Sequence, residues 1–107
     1  MIAKIINNVS MLTAGEALRQ VLLVAEQAGL AKADALRVLN AGSGRSWLAE
    51  HWDAIGPLLD TADDGGPWTG MARKDSALGV ALATEVGTTL PAADAVVARL
   101  AALDAAR

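Results

Sequence analysis

The sequence predicts an all-α domain of five helices with a long first helix. Three observations predict it. Alanine and leucine dominate while Tyr and Phe are absent. Apolar residues recur at spacings of three and four, and no segment alternates with a period of two. A chain of 107 residues is the length of a single domain (1–107), at roughly 100–200 residues per domain, and it can bury one core. Its 53% hydrophobic against 20% charged residues, with a mean hydropathy of +0.35, excludes a disordered tail.

Ile2, Ile5, Ile6, Val9, Leu12, Leu18, Leu22, Leu23 and Ala25 predict an amphipathic helix over 2–28, with Gly29 as its stop. Gly15 inside it costs about 1 kcal/mol relative to Ala and marks a close approach of a neighbouring helix. Such a helix is about 40 Å long, longer than a globule of this size is wide, so it protrudes or packs against something outside the chain. A second helix is expected over 32–39 with Leu36 and Leu39 inward, then a turn over 40–44. A third covers 46–52 with Ser46 as its N-cap. Pro57 and the run 60–67 read as loop, since Asp, Gly and Pro each favour turns. A fourth helix runs over 70–86 and stops at Gly87. A fifth runs over 91–106, with Pro91 suited to its first turn.

Nine Lys and Arg against twelve Asp and Glu give a net charge of −3 and a pI near 4.9. That surface argues against nucleic acid or an anionic membrane as the main partner, while leaving room for a local cationic pocket. The absence of cysteine removes disulfides, thiolate nucleophiles and thiolate metal sites. Asn7 and Asn8 interrupt the apolar start too early for a signal peptide. Glu16, Arg19 and Glu26 break the best candidate for a membrane span, and a cytoplasmic location is expected. No glycine-rich strand-to-helix turn and no P-loop is present, so no nucleotide-binding fold is expected within the chain itself.

Few residues carry candidate chemistry. Lys4 and Asn8 are four apart, hence one turn apart on the same helix face. An amine beside a carboxamide can orient and protonate an oxygen-bearing substrate, and lysine serves as general acid or base when desolvated; the bland alternative is a solvated lysine and a helix-start asparagine. Lys74-Asp75 opens the fourth helix after a glycine-rich loop, where the lysine can reach a phosphate or a cofactor amide; the alternative is a solvated first turn with Asp75 favoured by the helix dipole. Trp47 and Trp52 read as core or interface anchors, and Trp68 precedes Lys74 in position to lean on a flat ring or to pack in the core. His51 stands alone, too few for a histidine metal cluster, and reads as solvated or packed. Asp60, Asp63 and Asp64 lack the spacing of a calcium loop, so no metal is expected.

Taken in order, Lys4-Ile5-Ile6-Asn7-Asn8, Gly15-Glu16-Ala17-Leu18, Ala25-Glu26-Gln27-Ala28-Gly29-Leu30, Val38-Leu39-Asn40, Ser43-Gly44-Arg45-Ser46-Trp47, Lys74-Asp75 and Gly87-Thr88-Thr89-Leu90-Pro91 resemble the C-terminal helical domain of the 3-hydroxyisobutyrate dehydrogenase (β-hydroxyacid dehydrogenase) family, itself like the C-terminal domain of 6-phosphogluconate dehydrogenase. No single motif is specific; the ordered set is, and it covers nearly the whole chain.

The resemblance implies an oxidoreductase with an N-terminal Rossmann domain for NAD or NADP, over which the helical domain closes. It implies that Lys4 is the catalytic lysine, taking the hydroxyl proton of a 3-hydroxy acid as hydride leaves for the nicotinamide, or returning it in reduction to give back the hydroxy acid from the semialdehyde. Asn8 matches the asparagine that holds the small hydroxy-acid substrate, and Asn7 its neighbour. Lys74 matches the lysine beside the cofactor. Trp68 stands where the family has a phenylalanine near the nicotinamide, with one residue fewer before Lys74. The long first helix implies a homodimer or higher assembly. The Lys-x-x-x-Asn pair favours the hydroxyacid branch over imine reductase relatives. With Met1 three residues before Lys4 and no Rossmann half, the expectation is an excised domain or truncated frame, inactive alone. The competing expectation is a stand-alone, non-catalytic helical dimerisation or interaction module.

Overall fold

Two glycines set the ends of the two longest helices in the same way. In the computed structural model, Gly29 at φ +96° and Gly87 at φ +81° take a backbone conformation that side chains disfavour. Leu30 N–H then donates to Ala25 O at 2.8 Å and Gly29 N–H to Glu26 O at 3.1 Å; Thr88 N–H donates to Ala83 O at 2.9 Å and Gly87 N–H to Thr84 O at 3.1 Å. Each pair is a Schellman closure that satisfies carbonyls left over at a helix end.

The structure describes residues 1–61 and 67–106, with residues 58–61 and 67–68 described by backbone alone. These residues form six helices and no strand: α1 (Ile2–Gln27), α2 (Lys32–Ala41), α3 (Trp47–Glu50), α4 (Trp52–Thr61), α5 (Pro67–Glu85) and α6 (Pro91–Ala105). The all-α expectation holds, with one helix more than the five expected. The addition is α4, which runs through Pro57 where a loop is expected. Trp52 is buried at 6% exposure and Gly56 is buried, and a Cβ on Gly56 would overlap the Trp52 indole. Burying that ring, at about 1.5–3 kcal/mol for a large apolar side chain, offsets much of proline's local cost of about 3 kcal/mol. Ser46 caps α3 as expected, its Oγ accepting from Ala49 N–H at 3.1 Å, and Pro91 opens α6.

The chain groups into two compact units, Met1–Thr13 with Thr61–Arg107, and Ala14–Asp60. In the first, Leu12, Ala72, Val96 and Leu100 form one buried cluster, flanked by Met11 and Leu103. Ile5, Val9 and Ala93 form a second, flanked by Leu78, Val80, Leu82 and Leu90. The start of α1 thereby packs among α5 and α6. The face of α5 that turns inward is made of small residues, Thr69, Ala72, Asp75, Ser76, Gly79 and Ala83. At Gly79 an added Cβ would sit 2.6 Å from Val9 Cγ2 and 3.2 Å from its Cγ1, so the bare glycine lets α1 come close to α5. Gly15 is buried in the second unit.

In the second unit the inward residues are Leu18, Leu22, Ala35, Leu48, Ala49 and Trp52. Leu36 and Leu39 are half-buried, and Ala35 rather than either leucine is the buried residue of α2. Asn40 Nδ2 donates to Ala49 O at 3.1 Å, tying α2 to α3. Lys32 pairs with Glu26 at 3.8 Å and lies 5.9 Å from the Trp52 ring centroid. Along α1 only part of the expected apolar set is inward: Ile5, Val9, Leu12, Leu18 and Leu22 are buried, whereas Ile2 is 59%, Ile6 60% and Leu23 48% exposed.

Candidate functional site

The first unit brings two sequence-predicted segments together by one hydrogen bond. Asn8, half-buried on α1, donates through Nδ2 to Asp75 Oδ2 on α5 at 2.8 Å. Asp75 is buried at 6% exposure. A buried carboxylate is costly unless hydrogen-bonded, and the Asn8 amide supplies that contact. Asn7 continues the string, its Nδ2 donating to Asn8 Oδ1 at 3.2 Å. Lys4 is one turn earlier on α1 and Lys74 is the residue before Asp75; both are exposed. The polar string thus begins at an exposed carboxamide, passes through a half-buried one and ends on a buried carboxylate.

Two expectations need correction. Lys74 and Asp75 do not open a helix: α5 starts at Pro67, so they lie about two turns inside it. Nor is Asp75 part of a solvated first turn, since it belongs to the buried small-residue face of α5. Periodicity carries the signal that points to it. Thr69, Ala72, Asp75, Ser76, Gly79 and Ala83 follow helical spacing, and an acid embedded in a stripe of small residues is turned inward with them.

The remaining candidates fall elsewhere. The Trp68 side chain lies outside the described residues, as do those of Asp60, Asp63 and Asp64. Trp52 is core, but Trp47 is 54% exposed; its ring stacks on His51 at 4.4 Å between centroids. His51 Nδ1 is 2.7 Å from Trp47 O, so the lone histidine is occupied within α3 and its cap. Among the described residues no group of three metal-binding side chains is found, and no helix is long and apolar enough to cross a membrane.

An apolar groove of about 390 Å³ runs beside the string, with Ile6, Val9, Leu82, Val86 and Leu90 in its wall. Its rim includes Ile6 at 60% and Val86 at 68% exposure. The exposed groups near the string in sequence are Lys4, Lys74 and Asn7, donors that suit anionic or oxygen-rich small molecules. Among the described residues there is no strand.

No curated protein and no solved structure matches the chain. A family model does, over residues 1–107, and its description is "NAD-binding of NADP-dependent 3-hydroxyisobutyrate dehydrogenase". With every residue matched, and an all-helical fold that agrees with a C-terminal helical domain of that kind, the chain belongs to this NAD-binding family of 3-hydroxyisobutyrate dehydrogenases.

Proposed function

We propose that residues 1–107 act as the substrate and dimerisation domain of an NAD(P)-dependent dehydrogenase that interconverts a 3-hydroxy acid and its semialdehyde. The observation that carries this reading is the string Asn7–Asn8–Asp75, one turn from Lys4 and next to Lys74. It links Asn8 on α1 to Asp75 on α5, two segments whose order resembles the family's. In this reading a nicotinamide cofactor would be held mainly by a Rossmann domain and would provide the hydride chemistry when bound. Lys4 Nζ takes the substrate's hydroxyl proton, or returns it in reduction. Asn8, with Asn7 beside it, holds the substrate against Lys4. Lys74 offers its charge to the cofactor, and Trp68 its ring. Lys4 is exposed, and proton transfer by a lysine is most effective in a dry cleft, so the covering surface has to come from the Rossmann domain.

Hydride transfer by the chain combined with a Rossmann domain of this family tests the proposal, followed by nicotinamide absorbance. Lys4→Ala is expected to lower kcat by about 10²–10⁴-fold, the usual contribution of a positioned acid or base, with helix content unchanged. Unchanged turnover removes Lys4 from the mechanism.

A second reading, a non-catalytic helical interaction module, is favoured by the groove beside the string and by exposed Ile2, Ile6 and Val86. Exposed apolar surface of this kind is commonly covered by a partner. Both readings expect self-association, which size-exclusion with light scattering measures as a dimer or larger; a monomer at all concentrations removes the dimerisation role and leaves the catalytic one. Hydride transfer that needs Lys4 excludes the non-catalytic reading.

A further inference from the structure

We propose that Asp75 is a positioning residue whose buried carboxylate fixes the Asn8 carboxamide, nitrogen inward and oxygen outward, beside Lys4. This deepens the dehydrogenase reading and rests on it for its kinetic consequence; the orientation itself does not depend on it.

An asparagine amide has two faces of opposite hydrogen-bonding character, and a free one turns over between them. At Asn8 the choice is made by the partner. The atom 2.8 Å from Asp75 Oδ2 is the amide nitrogen, which donates while the carboxylate oxygen accepts. The oxygen then faces the other way, where Asn7 Nδ2 donates to it at 3.2 Å. Asp75 cannot easily move: it is 6% exposed, and its neighbours Ala72 and Ser76 are 5% and 1% exposed. Ser76 Oγ is occupied by Ala72 O at 2.6 Å and offers Asp75 no competing donor. The charge-assisted bond to a carboxylate is stronger than one between neutral groups. It also polarises the next bond in the string. A buried acid on α5 thus sets which atom of an α1 side chain meets a ligand, although the two residues are 67 apart in sequence.

The test has two arms. In the first, the side-chain amide protons of Asn7 and Asn8 are assigned by NMR in the full 107-residue chain. One Asn8 Nδ2 proton is expected further downfield of its partner than the corresponding Asn7 proton, since the Asn8 acceptor is a carboxylate and the Asn7 acceptor a neutral amide at 3.2 Å. Asp75→Ala should collapse the Asn8 separation. An Asn8 pair that resembles the Asn7 pair in the unsubstituted chain overturns the proposal, whether or not any variant folds.

The second arm is a double-substitution cycle on hydride transfer by the chain combined with a Rossmann domain. Asp75→Ala should lower kcat about tenfold or more, as misplacement by an ångström does, with KM within about twofold. Asp75→Asn, which keeps an acceptor oxygen, should recover part of that loss. In an Asn8→Ala background Asp75→Ala should add nothing; independent, multiplying losses overturn the positioning role. If no hydride transfer occurs, the dehydrogenase reading fails instead; if turnover survives Lys4→Ala, only the role of Lys4 fails; in both cases the NMR arm still decides the orientation of Asn8.

Discussion

The early and middle turns of α1 each carry a polar network, and they are built over different distances. Around Glu16 two contacts are local: Arg19 Nη2 meets Glu16 Oε2 at 2.7 Å and Gln20 Nε2 meets the same oxygen at 2.8 Å. These are neighbours on one helix face, three and four residues apart. Around Asn8 the contact is long-range and ends on a buried acid of α5. These i,i+3 and i,i+4 contacts need only α1 to exist. The Asn8 contact needs α1 and α5 to be packed first. The difference teaches where chemistry is to be sought: polar groups brought together by tertiary packing are held by everything that packs, whereas helix-face pairs contribute about 0.2–0.5 kcal/mol each.

The largest expected effect that sharpens this contrast is on turnover. Lys4→Ala, at the long-range end, should remove about 10²–10⁴-fold in kcat while leaving thermal unfolding nearly unchanged, because the side chain is exposed. Next is Gly79→Ala. The new methyl would meet both Val9 methyls, and a β-branched side chain on a helix has one strongly preferred rotamer. Overpacking costs about 1–3 kcal/mol, against a helix-propensity gain of about 1 kcal/mol. The net expectation is a Tm lower by several degrees, together with loss of the Asn8 amide signature, since α1 is pushed from α5. A raised Tm would mean that Val9 swings aside and that the close approach is not required. The smallest effect belongs to the local network: Gln20→Ala should change unfolding free energy by no more than about 0.5 kcal/mol, read by denaturant titration. A larger loss would mean that the Glu16 cluster also supports tertiary packing.

Much of the helical framework was legible because its signals are local. Apolar spacing marks α1, Ser46 marks the start of α3, Gly29 and Gly87 mark two ends, and Pro91 marks the start of α6. Pro57 misleads because its cost is local while the burial of Trp52 that opposes it is not. Of the site, Lys4 and Asn8 were legible as one turn of one helix. Asp75 was not, because a charged residue reads as solvated until its stripe of small neighbours is considered. Gly79 looks in sequence like any glycine inside a helix; that it faces the Val9 side chain is decided only by packing.

Trp52 and Trp47 sit on adjoining short helices of the second unit, one indole sealed in and the other lying open over a histidine. With no Tyr or Phe in the chain, its near-ultraviolet absorption and emission come from three indoles alone. Two of the three lie within residues 14–60, where the sealed ring should emit to the blue of the open one. A red shift on unfolding would then follow the release of Trp52 from the groove left by Gly56, without any label added to the protein.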